Sequence, residues 1–226
     1  MKKGILVFVL LALMAVGAFA MDISAGGGAL MDLSFNNGVK GTWTDYWSGY
    51  SVDWYGGIRN MAFGGFFFLD FTYAEIDVSI AYGAMKYVDE EDGHKVVSSE
   101  TGNSAQLGFS LLLKYPIVFN RIVFFPFGGI NYNLVLSMKE NGYSYPDPVK
   151  DFSQFGLYFG VGLDNYFSDN MYFRIEAGLG LRFASKFQKD QADLNDYYDP
   201  YSYEGSTAKT TLGVGPRLKI GIGRYF

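Results

Sequence analysis

The sequence has no cysteine and a single histidine, His94. The first absence excludes disulfides, thiolate metal sites, a cysteine nucleophile and a lipid-modified N-terminal cysteine. The second removes most histidine-based metal sites. A basic excess is also missing: 18 Lys and Arg face 23 Asp and Glu, for a net charge of −5. That balance argues against nucleic acid as a partner. Beyond the N-terminus there is no long uncharged apolar run, so no spanning helix is expected. What is abundant is glycine and aromatics, with 29 Gly, 21 Phe and 18 Tyr in 226 residues. This length bounds the chain to one domain or two small ones. The composition favours closely packed strands over helices, and 49% hydrophobic residues exclude disorder for most of the chain.

The first twenty residues read as a secretory signal. Lys2 and Lys3 give a positive start, Ile5 to Val16 is an uncharged apolar run, and Ala18-Phe19-Ala20 is an A-x-A cleavage site. The run is short of the roughly 20 residues a spanning helix needs. The expected division is therefore a signal peptide over 1–20 and one domain over 21–226. Losing Lys2 and Lys3 takes the net charge from −5 to −7. An exported chain with no spanning helix can still cross a membrane as a closed barrel.

The remainder alternates. From Tyr73 to Tyr87, Ala74, Ile76, Val78, Ile80, Tyr82 and Ala84 share one face, while Glu75, Asp77, Ser79, Ala81 and Gly83 share the other. The same period of two runs through Gln154–Asp164, Met171–Phe183 and Leu212–Phe226, and more weakly through Ile23–Phe35, Ser104–Lys114 and Ile122–Leu136. Ile58–Leu69 is ambiguous in register, because Phe66-Phe67-Phe68 is apolar on both faces. Several segments reach the ~9–11 residues of a tilted membrane strand, beyond the ~5–6 usual in soluble sheets. The polar face mixes opposite charges with many glycines, as a narrow lumen requires. The segments count to eight. Short turns near 70–72, 115–121 and 166–170 alternate with long polar stretches near 36–57, 88–103, 138–152 and 186–207. That is the layout of an outer-membrane barrel with both termini on the periplasmic side. The expected fold class is all-β: a membrane-spanning antiparallel up-and-down barrel of eight strands.

Three stretches carry a family resemblance: Lys114-Tyr115-Pro116 at a turn, Phe124-Phe125-Pro126-Phe127-Gly128 opening the next strand, and the terminal Gly221-Ile222-Gly223-Arg224-Tyr225-Phe226. With them the chain resembles the small eight-stranded outer-membrane barrels of the OmpX/OmpA type and the OmpW-like family. The resemblance implies residence in the outer membrane of a diderm bacterium, outer-membrane lipid as surroundings, and a monomer. It makes Phe226 the expected signal for the barrel-assembly machinery. Arg224 departs from that signal, since an apolar residue is usual two places before the end.

Two sets of residues are candidate sites. The inward charges Glu75, Asp77, Asp164, Arg174, Glu176, Arg182, Arg217 and Lys219 are expected to pair across the lumen. Glu75, Asp77, Arg174, Glu176 and Lys219 lie at matched height in the periplasmic half. A satisfied network that plugs the barrel is preferred over a gate, because buried charge must pair. The upper lumen, with Asp32, Lys114, Arg182, Gly83, Leu112, Asn133 and Gly156, is expected to discriminate functions. A dry apolar pocket there would favour a conduit. The second set is aromatic. Trp43, Trp47 and Trp54 fall in the first long stretch, and Tyr197, Tyr198 and Tyr201 in the last. Such rings either contact an external protein or host ligand or pack in the outer girdle.

Both 88–103 and 186–207 carry five acids, so repulsion of anionic surface lipid is expected unless divalent cations bridge. Asp190, Asp193, Asp196 and Asp199 lack the pattern of a calcium loop. His94, near Ser98 and Ser99, has no fixed orienting partner that would make it a catalytic base. No catalytic, cofactor or metal residues are expected. The expected function is a non-enzymatic membrane protein with a structural and adhesive role through its surface loops. The alternative is a narrow channel, or an OmpW-like conduit for small apolar solutes.

Overall fold

The computed structural model describes residues 22–226, apart from 92–93, 141–142, 145–148 and 200–203. The predicted signal segment lies outside the described residues. Among the described residues twelve strands form one antiparallel sheet: β1 Ser24–Asp45, β2 Tyr50–Asp70, β3 Ala74–Glu91, β4 His94–Lys114, β5 Ile117–Phe119, β6 Ile122–Glu140, β7 Tyr143–Ser144, β8 Gln154–Tyr166, β9 Met171–Arg182, β10 Tyr197–Asp199, β11 Glu204–Thr210 and β12 Gly213–Tyr225. An α-helix, α1, spans Lys186–Asn195, and a 3-10 turn spans Val149–Phe152. Eight staves close the ring. β1, β2, β3, β4, β6, β8, β9 and β12 each pair with their neighbours, and β12 returns to β1. Closure leaves every central strand paired on both sides, which is the condition for spanning lipid with strands.

The strands are longer than their apolar alternation. β1 and β2 continue as a hairpin to Asp45 and Tyr50, and β3 and β4 to Glu91 and His94. The stretches read from sequence as long loops, 36–57 and 88–103, are therefore mostly paired strand. Beyond the membrane a strand needs no apolar face, so its polar composition resembled loop. The last long stretch is likewise structured. It contains α1, β10 and β11, and β11 pairs with the upper part of β1.

Alternation sets the two faces. Met61, Phe63, Phe67, Ile80, Tyr82 and Leu113 stand exposed on the outside, as lipid-facing residues do. The ambiguous phenylalanine run resolves by register: Phe66 and Phe68 are buried inward and Phe67 faces out. Their inward rings need space, and β1 supplies it. A Cβ on Gly26 would lie 2.5 Å from the Phe68 ring and 2.2 Å from the Ile222 carbonyl oxygen. The glycine run of β1 is thus a close-approach surface.

Candidate functional site

The lower lumen holds a charge network built on Arg174. Its guanidinium grips Asp164 with two bonds of 2.7 Å and reaches Glu75 and Asp70 at 2.5 Å each. Lys219 donates to Asp77 at 2.7 Å and stands 3.2 Å from Glu176. Lys114 pairs with Asp70 and lies 3.9 Å from Glu75. Aromatic rings wall the cluster. Phe68 lies 4.3 Å and Phe125 5.0 Å from the Arg174 guanidinium carbon, and Phe66 lies 5.2 Å from the Lys219 ammonium. Cation–π contacts of this kind strengthen when desolvated. Arg174, Glu75, Glu176 and Lys219 are fully buried.

Three cations here face five carboxylates: Asp70, Glu75, Asp77, Asp164 and Glu176. The surplus shows in the hydrogen bonding. Among the described residues Glu75 Oε1 and Asp77 Oδ1 accept no hydrogen bond, and Glu176 has only the Lys219 ammonium at 3.2 Å and Arg174 at 3.7 Å.

Higher in the lumen the balance reverses. Asp32 lies between two arginines, accepting 2.6 and 3.1 Å bonds from Arg217 and a further bond from Arg182. Asn131 accepts from Arg217 at 3.3 Å. Above this triad lies a cavity of about 60 Å³. Ser34, Asn60, Gln106, Asn133 and Gln154 face it, together with Met85 and Met138, and α1 roofs it through Gln188. Ser185 and Gln188 form a reciprocal capping box at the start of α1. Gln154 donates to Gln188 at 3.1 Å, and Phe187 stacks on Phe152 with centroids 4.3 Å apart. Lys186 bonds Asp151 at 2.9 Å. This bond raises the ammonium's pKa above the ordinary lysine value.

The sequence-derived charges thus fall into two groups. Glu75, Asp77, Asp164, Arg174, Glu176 and Lys219 meet in the lower lumen, and Arg182 and Arg217 meet Asp32 above. Asp70, which the sequence puts in the turn at 70–72, also joins the network. It continues the inward series Phe66, Phe68, Asp70. Lys114 and Leu112, expected in the upper lumen, lie in its lower part instead. β4 descends from outside to periplasm, so its last residues arrive beside Asp70 and Phe125.

The predicted aromatic set separates. Trp43 and Trp54 are half-buried on the upper strands, with the Trp54 ring lying over Gly41. Trp47 stands 83% exposed at the tip of the β1–β2 hairpin, beside exposed Tyr46 and Tyr50. The tip is a tight turn. The Asp45 carboxylate accepts from the Trp47 N–H at 2.9 Å, the Ser48 hydroxyl at 2.5 Å and the Ser48 N–H at 3.4 Å, while Gly49 supplies a φ of 72°. The Ser48 hydroxyl, then the backbone donors, hold the Asp45 pKa below its ordinary value. Tyr197 and Tyr198 lie on β10 against β11, and Tyr201 lies outside the described residues. Phe226 is 85% exposed at the periplasmic end, its N–H bonded to the Ile23 carbonyl at 3.1 Å. His94 is exposed where β4 begins. Asp190 and Asp193 sit on α1, Asp196 caps its end, and Asp199 ends β10. Among the described residues no group of three or more acids or histidines is placed to hold a metal ion.

The family model described as outer membrane protein beta-barrel domain matches residues 6–215. The chain belongs to this family. Its place is therefore the outer membrane. Among solved structures it is similar to Ail, the attachment invasion locus protein of Yersinia pestis, determined with the heparin analogue sucrose octasulfate. Identity is 13%, coverage is 92% of this chain and 100% of that one, and the TM-score is 0.38. It is also similar to the translocator domain of the autotransporter NalP from Neisseria meningitidis, at 12% identity, 100% and 97% coverage and a TM-score of 0.27. Neither similarity bears on ligand or partner. No curated protein sequence matches the chain.

Proposed function

We propose that this barrel is a non-enzymatic outer-membrane protein whose extracellular extension contacts an external partner. The observation that carries the reading is the hairpin tip, where a turn braced by Asp45 presents Trp47 to solvent. Exposed aromatics on a rigid element supply contact area at low entropic cost. The filled lumen supports the same reading: ion networks occupy its lower and middle parts, and the cavity above them is only about 60 Å³, with amides and hydroxyls mixed among Ile58, Met85, Met138 and Phe187. So small a cavity with a mixed lining falls short of the roughly 300 Å³ or more of an ordinary ligand pocket, which a conduit for apolar solutes would need.

The test is binding of the refolded protein, in lipid nanodiscs, to arrayed extracellular proteins and glycans. Wild type is compared with Trp47→Ala and with a variant whose 46–49 turn is replaced by Asn-Gly. The reading expects wild type to retain a ligand that Trp47→Ala binds at least ~30-fold more weakly, the size of a hot-spot loss. Equal binding by all three proteins contradicts it.

A further inference from the structure

The acids counted along the sequence do not describe the outer face of the barrel. Above the lipid-facing band, five cations point outward: Lys40 on β1, Arg59 on β2, Lys86 on β3, Lys139 on β6 and Lys209 on β11. Arg59 and Lys86 stand at the upper limit of apolar alternation. On β2 the outward series runs Phe67, Gly65, Phe63, Met61 and then Arg59. On β3 it runs Ile80, Tyr82, Ala84 and then Lys86.

Their pairing is unusual. Arg59 is the direct cross-strand partner of Lys86, and Lys40 of Lys209. Like charges directly opposite destabilise a sheet. None of the five forms an ion pair among the described residues. Two like-charge pairs without an ion-pair partner among the described residues suit an anion from outside the chain, even with Asp53 and Glu90 beside the second pair.

The height identifies the something. Arg59 and Lys86 lie one outward step, about 7 Å, beyond the last apolar side chains. That is where the charged esters of a lipid begin. Lys40 sits opposite Tyr55, four residues above Arg59, so the second pair stands roughly 13 Å farther out. Beside it is a concavity of about 440 Å³ lined by Lys40, Thr42, Asp53, Tyr55, Thr207 and Lys209. Glu90 lines it too. Asp53 accepts the Thr42 hydroxyl at 2.7 Å. Cations and acceptors together suit a hydroxyl-rich headgroup that carries phosphate, more than phosphate alone.

We infer that the outer face of β11, β1, β2 and β3 is a lateral binding site for a phosphate-bearing lipid of the outer leaflet. Its acyl chains lie on Met61, Phe63 and Tyr82, its first phosphate lies between Arg59 and Lys86, and the rest of its headgroup lies in the concavity at Lys40 and Lys209.

The experiment is native mass spectrometry of the refolded full mature chain released from nanodiscs. Discs contain phosphatidylcholine alone, phosphatidylcholine with phosphatidylglycerol, or phosphatidylcholine with a phosphorylated diglucosamine lipid. The variants are Arg59→Gln/Lys86→Gln, Lys40→Gln/Lys209→Gln, the quadruple combination, and Lys189→Gln on exposed α1 as a charge-matched control. Heat-modifiable gel mobility confirms that each is folded. Wild type and Lys189→Gln should retain phosphatidylglycerol over phosphatidylcholine and the glycolipid over both. Retention should fall about fivefold per cation removed. The lower double variant should lose both anionic lipids, and the upper one chiefly the glycolipid. Inorganic phosphate should not displace the bound lipid. Equal retention by wild type and the quadruple variant overturns the inference, as does full displacement by inorganic phosphate, which would mark a site for the free anion.

Discussion

The two charge clusters of the lumen are built on opposite imbalances. Below, three cations hold five carboxylates inside an aromatic wall. Above, one carboxylate holds two arginines beneath a small cavity. The lower cluster has redundant anions, so the vulnerable member is the cation they share. The upper cluster has redundant cations, so its vulnerable member is the single acid. In each, the energetic weight falls on the minority charge, because removing it leaves several like charges buried together.

The comparison breaks most sharply at Arg174. Arg174→Met strands Asp164 and leaves Asp70 and Glu75 to the remaining lysines, and about 3–5 kcal/mol of stability should be lost, or folding itself. Urea unfolding in vesicles, read by heat-modifiable gel mobility, measures it. Removing one surplus anion by Asp77→Asn should be much milder, within about 1–2 kcal/mol. Asp32→Asn is the matching test above. It leaves Arg182 and Arg217 facing each other, with an expected loss of about 3 kcal/mol. If Asp77→Asn proves as damaging as Arg174→Met, the minority-charge account fails.

Smaller effects follow toward the outer end. Gln188→Ala removes the partner of Gln154 and half of the α1 capping box, for about 1 kcal/mol of local stability. Faster amide exchange confined to α1 would report it, and uniform exchange across the barrel would refute a local role. The smallest effect is a pH response at the hairpin tip. The Asp45 pKa is lowered in the folded turn, so its contribution is complete above the ordinary carboxylate pKa of about 3.9 and is lost as pH falls through the folded value. Tryptophan fluorescence in wild type should therefore change below about pH 4. Asp45→Ala should show no such step.

Much of the spanning region was legible in sequence because lipid outside and a narrow lumen inside impose a strict period of two. Arg174, Glu176, Glu75, Asp77 and Lys219 reach one cluster through that period and their height alone. Asp70 and Lys114 were not placed with them, because both lie at strand ends, where alternation is too short to mark face or height. The outer extension was illegible for the opposite reason. Once outside lipid, neither face need be apolar, and Trp43 and Trp54 look like loop residues although they stand on strands. α1 carried a readable start at Ser185 and Gln188, but only Gln188 and Ala192 are buried, so no apolar stripe announced it. The outward cations were visible as residues and invisible as a group, since only pairing register brings Arg59 to Lys86 and Lys40 to Lys209.

The most direct test of a lumen filled by paired charge is planar-bilayer conductance of the refolded mature chain, after gel mobility has confirmed the fold. The account predicts electrical silence in wild type. Discrete, reproducible channels in wild type would contradict it.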